Sequence, residues 1–296
     1  MRRSGPLLAL VAVTAVWGVT FVQVKDALDL YPLFAFLAVR FAISTAALAP
    51  LAGRSLRALP REGLAAGVGA GVLLASAYAF QTAGLELTTV ASTGFITGLY
   101  VVFTPLLALA AFGTPVSRAL WAGIALSVVG LLLLSGVPGG STVGNALVLA
   151  NALVTAVLIT AMERFAPQYD ARALAFLMVA TSTAAFAVLA VASDQLEMPR
   201  GATVWSALVV TGLFAGALAH LVAIWVQART TAARAALVFT LEAPFAAIFG
   251  VLLAGEVLGW AGWLGCGVMM AGIVLAEPAA ARALRSLAAR RRSGSA

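Results

Sequence analysis

Charge is scarce along this chain: aspartate, glutamate, lysine and arginine make up 10% of its 296 residues, against about 25% in an ordinary soluble domain. So few charges do not cover a water-exposed surface. Cysteine is represented by Cys266 alone, which rules out a disulfide within one chain and, in apolar surroundings, reads as packing. The lone histidine, His220, does not build a multi-histidine metal site. No HExxH, GxSxG or GK[ST] pattern occurs. Asp26, Asp29, Asp170 and Asp194 fall in loops or at helix ends, which removes an intramembrane aspartyl dyad. Covalent chemistry, a metal and a cofactor are therefore not expected.

Apolar mass is what the chain has in quantity, with 62% hydrophobic residues and a mean hydropathy of +1.05. It is arranged in runs of about 20 residues, the length a helix needs to cross the hydrocarbon core. The runs place spans near 5–24, 32–52, 63–83, 90–112, 117–135, 144–164, 172–192, 203–227, 232–254 and 258–277. Lipid cannot satisfy free backbone groups and the runs lack period-2 alternation, so an all-α membrane protein of ten helices is expected, not a barrel.

The net charge of +7 invites a nucleic-acid reading, but its distribution argues against one. With the N-terminus inside, Arg2, Arg3, Arg54, Arg57, Arg61, Arg118, Arg164, Arg172, Arg229, Arg234 and the tail arginines share one face, whereas Lys25 and Arg200 lie on the other. This is the positive-inside bias, which puts both termini in the cytoplasm and the chain in an inner (plasma) membrane. The basic tail, 279–296 with Arg290, Arg291 and Arg292, suits anionic lipid headgroups. Met1-Arg2-Arg3 before an apolar stretch resembles a secretory signal, yet the run continues through Trp17 and Phe21 to spanning length and is expected to be retained.

The chain also repeats itself. Pro105 pairs with Pro244, and Trp121-Ala122-Gly123 follows at the same spacing as Trp260-Ala261-Gly262. Phe36-Leu37-Ala38-Val39 matches Phe176-Leu177-Met178-Val179, and Thr88-Thr89 matches Thr230-Thr231, all at an offset near 140. The unit is five helices long, giving repeats over 1–138 and 139–278. Because five is odd, the second repeat enters from the opposite side, and the halves form an inverted pair able to expose a central cavity to either face.

Polar residues inside spans are the places to look for function. Thr93, Thr97, Tyr100 and Thr104 form one face of the fourth helix, and the third offers Tyr78 and Gln81, the first Trp17, the sixth Asn151 and Thr155, the eighth His220 and Gln227. Tyr78 and His220 occupy equivalent positions in the repeat. Trp17, Tyr78, Gln81, Tyr100 and His220 are thus the candidate substrate-binding residues, against a bland reading in which the hydroxyls only bond neighbouring backbones. Two charges lie mid-span, Arg40 and Glu242. They either pair with each other, cap kinked backbone or meet a charged substrate, and Arg40 has Ala180 at its equivalent position. Pro105 and Pro244 each remove a backbone donor mid-span and are candidate hinges.

Trp17-Gly18, Phe36-Leu37-Ala38-Val39-Arg40-Phe41, Leu241-Glu242-Ala243-Pro244-Phe245 and Gly255-Glu256, with the glycine-rich tenth helix, resemble the drug/metabolite transporter superfamily, specifically its ten-helix EamA-type exporters. The resemblance covers the whole chain. It departs at Pro115-Val116-Ser117, where a glycine-glutamate ending is usual, and at Val154, where some relatives carry tryptophan. It implies a basket of ten helices around a central cavity and export of aromatic and other neutral amino acids or similar small metabolites, one copy sufficing. Nucleotide sugars, phosphorylated metabolites and drugs are the alternative cargoes, and a passive channel or an intramembrane enzyme the alternative classes.

Overall fold

The computed structural model describes residues 5–136 and 139–276. Arg2, Arg3, the expected repeat boundary at 138, the tail 279–296 with Arg290, Arg291 and Arg292, and the side chains of Phe21, Lys25 and Asp26 lie outside the described residues.

Among the described residues every regular element is helical. The ten spans are α1 (Gly5–Leu28), α2 (Leu33–Arg57), α3 (Arg61–Leu85), α4 (Val90–Gly98 followed by Tyr100–Phe112), α5 (Arg118–Ser135), α6 (Thr142–Phe165), α7 (Ala171–Ala192), α8 (Ala202–Gln227), α9 (Ala232–Phe239 followed by Glu242–Ala254) and α10 (Trp260–Ala276). Several run past their apolar stretches, α2 to Arg57 and α1 to Leu28, because hydropathy marks the part in hydrocarbon while the helix continues among headgroups. Their starts carry side-chain caps: Ser117, Ser141 and Asp170 accept from the backbone N–H groups of Leu120, Gly144 and Arg172. Gly113 and Gly255 end α4 and α9 in the left-handed conformation, with φ of 64° and 66°.

Three irregularities are absent from the hydropathy pattern. α4 breaks at Leu99, α9 breaks at Thr240-Leu241, and Thr211–Leu218 in α8 is wound as a π-helix. Pro244 accounts for the α9 break, since the ring cannot donate to Thr240, whose carbonyl instead takes the Ala243 N–H at 3.2 Å. Pro105 lies six residues beyond Leu99, so the α4 break has no such direct cause.

Helix starts give the register of the repeat. Leu33 corresponds to Ala171, an offset of 138; Arg61 to Ala202, 141; Val90 to Ala232 and Arg118 to Trp260, both 142; for α1 and α6 the helix ends, Leu28 and Phe165, stand 137 apart. The turn glycines Gly113 and Gly255 also stand 142 apart. This corrects the pairing of Pro105 with Pro244 and of Trp121 with Trp260, which runs three residues short of the structural register, and of Phe36-Leu37-Ala38-Val39 with Phe176-Leu177-Met178-Val179, which runs two residues long. It also replaces Ala180 by Met178 as the equivalent of Arg40. The step from 141 to 142 falls at the π-helix, whose wider turn accommodates one extra residue, and it keeps His220 opposite Tyr78.

The halves meet along a pseudo-twofold axis. The Thr45 and Thr183 hydroxyls, equivalent at offset 138, lie 3.0 Å apart across it. Beside them Ser44 donates to the Gly212 carbonyl and Ser182 to that of Gly71. In the α5–α10 contact, a Cβ at Gly123 would lie 2.6 Å from the Gly272 carbonyl and one at Gly265 2.6 Å from that of Gly130, the same contact seen from each half.

Closure is one-sided. On the arginine-rich face Tyr100–Phe112 packs against Ala232–Phe239, and Glu163 at the end of α6 accepts from the Ala232 N–H at 2.9 Å and from the Thr114 hydroxyl at 3.3 Å. The equivalent pair on the other face, Glu242–Ala254 and Val90–Gly98, makes no comparable contact among the described residues.

Candidate functional site

Trp17 is held on α1 by the π-helix of α8. The wide turn takes carbonyls out of the i→i−4 ladder, and the Trp17 indole N–H donates to the Ala215 oxygen at 2.9 Å. His220, a turn further along α8, has Nδ1 at 2.7 Å from the Gly216 oxygen. A carbonyl only accepts, so Nδ1 carries the proton and Nε2 is the acceptor of the neutral ring. Gly212 lets this segment approach α2 so closely that a Cβ there would lie 3.0 Å from the Arg40 oxygen.

These placements build a run of rings. Phe239 lies 5.5 Å from Trp17, Trp17 5.7 Å from His220, His220 6.0 Å from Phe41, and Phe41 5.9 Å from Tyr78, all within aromatic contact range. Phe186 supports Phe41 and Tyr78 from α7, at 5.2 and 6.0 Å. Six helices of the two halves thus supply one mid-span wall. Trp17 and Tyr78 keep part of their surface exposed despite this company.

The charged residues adjoin the same wall. Arg40 is 6% exposed, its guanidinium stands 5.8 Å from the Phe41 ring and within reach of the Tyr78 hydroxyl, and its Nε has no hydrogen-bond partner. Glu242 opens the second part of α9, three residues beyond Phe239, whose ring lies 5.5 Å from that of Trp17. Arg172 and Asp170, outside the spans, form an ion pair at 2.8 Å, whereas Arg40 and Glu242 are not joined by one. The bond to Arg172 holds the Asp170 carboxyl down at about 2.

Tyr100 is buried beside Leu10 and Phe239, with its backbone oxygen taken by Thr104. Gln81 belongs to a separate network, donating at 3.3 Å to Thr97, which also receives Asn151, while Thr155 bonds Asn151. By register Thr97 corresponds to Phe239 and Asn151 to Thr14, so the position that carries an amide partner in one half carries an aromatic ring in the other. Pro105 and Pro244 both lie in the second parts of their broken helices. Phe41, Phe186, Phe239 and the Ala215 carbonyl were not singled out in the sequence; Phe and Ala are unremarkable in apolar runs. Two surface depressions of 390 and 410 Å³ open on the arginine-rich face, and neither is lined by the candidate residues.

The chain matches the EamA-like transporter family twice, over residues 3–136 and 142–276. It is 30% identical over 272 residues to a protein of Archaeoglobus fulgidus described as an uncharacterized transporter, covering 90% of this chain and 84% of the relative. A crystal structure of a protein with 20% identity shares the fold, with a TM-score of 0.80 over 95% of this chain and 99% of that one. With both halves matched, the chain belongs to the EamA-like transporter family.

Proposed function

We propose that this transporter exports neutral amino acids, aromatic ones included, or similarly small metabolites, by alternating access. The observation that carries this reading is the mid-span aromatic wall, built by helices of both halves and closed off on the arginine-rich face. Ring faces with a few hydrogen-bonding edges suit a small amphiphilic ligand. The two related halves can adopt each other's arrangement, which moves the closure from one face to the other. All these groups come from one chain, so one copy completes the pathway. Nucleotide sugars and other phosphorylated cargoes fit less well, because phosphate calls for several cationic contacts and Arg40 stands alone as a mid-span base among the described residues.

Counterflow in proteoliposomes tests the proposal. Vesicles loaded with unlabelled phenylalanine should accumulate external labelled phenylalanine transiently and with saturation, and sugars and nucleotides should fail to compete. Absence of saturable exchange for every neutral amino acid would remove the reading.

A further inference from the structure

Arg40 and Glu242 are out of keeping with the fold that holds them. A charge at the centre of a span costs about 2.5–3.5 kcal/mol on insertion scales, and such residues ordinarily pair. Here the guanidinium is 6% exposed with an unpartnered Nε, and the Glu242 carboxylate does not bond it. The repeat provides an internal control for structural need. Met178 occupies the Arg40 position in the second half and is 3% exposed, while Tyr100 occupies the Glu242 position in the first and is 7% exposed. An apolar or phenolic side chain fills each site in the related half, so the scaffold requires neither charge.

We propose that the two residues are the poles of a zwitterion site, Arg40 receiving the substrate's α-carboxylate and Glu242 its α-ammonium, with the side chain laid against the Trp17–His220–Phe41 rings. A direct ion pair would leave nothing for a ligand, whereas an arginine and a glutamate that do not bond each other leave both charges for one that carries a carboxylate and an ammonium. The planar guanidinium, with Nε free, offers a fork to a carboxylate. The Phe41 ring, 5.8 Å from the guanidinium, ties it to the aromatic wall. The inference rests on the amino acid reading above and goes further by assigning each end of the substrate to a residue.

The test measures inhibition of labelled phenylalanine counterflow by phenylalanine, phenethylamine, which lacks the carboxylate, and N-acetylphenylalanine, which lacks the ammonium. In the wild type both analogues should compete on the order of tenfold more weakly than phenylalanine, as expected for loss of a bond to a charged group. Arg40→Gln should raise the KM for phenylalanine by a similar factor, leave phenethylamine inhibition unchanged, and be partly rescued by Arg40→Lys. Glu242→Gln should weaken phenethylamine and spare N-acetylphenylalanine. The analogue comparison needs no variant and holds even where a substitution fails to fold. Equal competition by all three compounds, or a wild-type KM in folded Arg40→Gln, overturns the assignment while leaving amino acid export intact. No saturable exchange in the wild type overturns export itself and the assignment with it.

Discussion

Thr45 and Thr183 share a 3.0 Å hydroxyl contact and are equivalent residues of the two repeats. A contact between equivalent residues maps onto itself when the halves exchange conformations, so it belongs to both the structure described and its counterpart open to the other face. The paired Gly123–Gly272 and Gly130–Gly265 contacts map onto each other and behave alike. The Trp17–Phe239 contact maps instead onto Val154–Thr97, so it separates one state from the other. Under the proposed exchange of the halves, contacts that map onto themselves or onto each other form the frame, and those that do not are expected to move.

A crosslink on the axis should therefore leave transport running. In a Cys266→Ala background, Thr45→Cys with Thr183→Cys is expected to oxidise readily and retain most counterflow activity. A disulfide or short bifunctional crosslinker between Ala111→Cys and Arg229→Cys, exposed positions on the closed face, should arrest transport reversibly. Equal loss of transport in both would mean that α2 and α7 slide during the cycle.

The α5–α10 contact should be intolerant of side chains at the crossing glycines. Gly130→Val directs atoms at the Gly265 carbonyl, 2.7 Å from a Cβ there, and should destabilise the detergent-solubilised protein by about 1–3 kcal/mol. Gly267→Ala, with open space around it, should be neutral or stabilising by up to about 1 kcal/mol. Thermal unfolding of the three proteins measures the difference.

Trp17→Phe retains the ring but removes the donor to Ala215. Loss of one such bond is expected to lower transport or affinity by about two- to tenfold. Trp17→Ala, which also opens the wall between His220 and Phe239, should cost more in a counterflow assay.

Asp170 caps α7 and bonds Arg172, and its carboxyl is held at about 2, below its ordinary 3.8. A depressed folded value stabilises above the unfolded one and loses that effect as pH falls from about 4 through 2. Asp170→Asn, which keeps a capping oxygen but loses the charge, should lower stability modestly at pH 7, match the wild type below about pH 2, and so flatten the pH dependence in that window.

Much of this architecture is legible in the sequence because lipid imposes a length and a charge bias on every span. The ten helices follow from those alone, and the repeat from matched segments such as Thr88-Thr89 and Thr230-Thr231. The register does not, since apolar runs tolerate sliding: Pro105 and Pro244 invite an alignment that the breaks at Leu99 and Leu241 and the glycines Gly113 and Gly255 displace by three residues. The π-helix of α8 is equally hidden, as Thr211–Leu218 reads like any other apolar stretch. Of the candidate residues, Trp17, Tyr78 and His220 come together through Phe41, an unremarkable phenylalanine whose role depends on tertiary neighbours, while Gln81 lies in the Thr97–Asn151 network.

Alternating access by exchange of the two halves is tested most directly by two distances in one protein. Spin labels at Ala111 and Arg229 report the arginine-rich face, and labels at their equivalents Leu253 and Leu87, 142 residues away in each case, report the other; all four positions are exposed. Adding phenylalanine across a concentration series should lengthen the first distance and shorten the second in matched populations. Distances that stay fixed, or that lengthen and shorten together, would contradict the account.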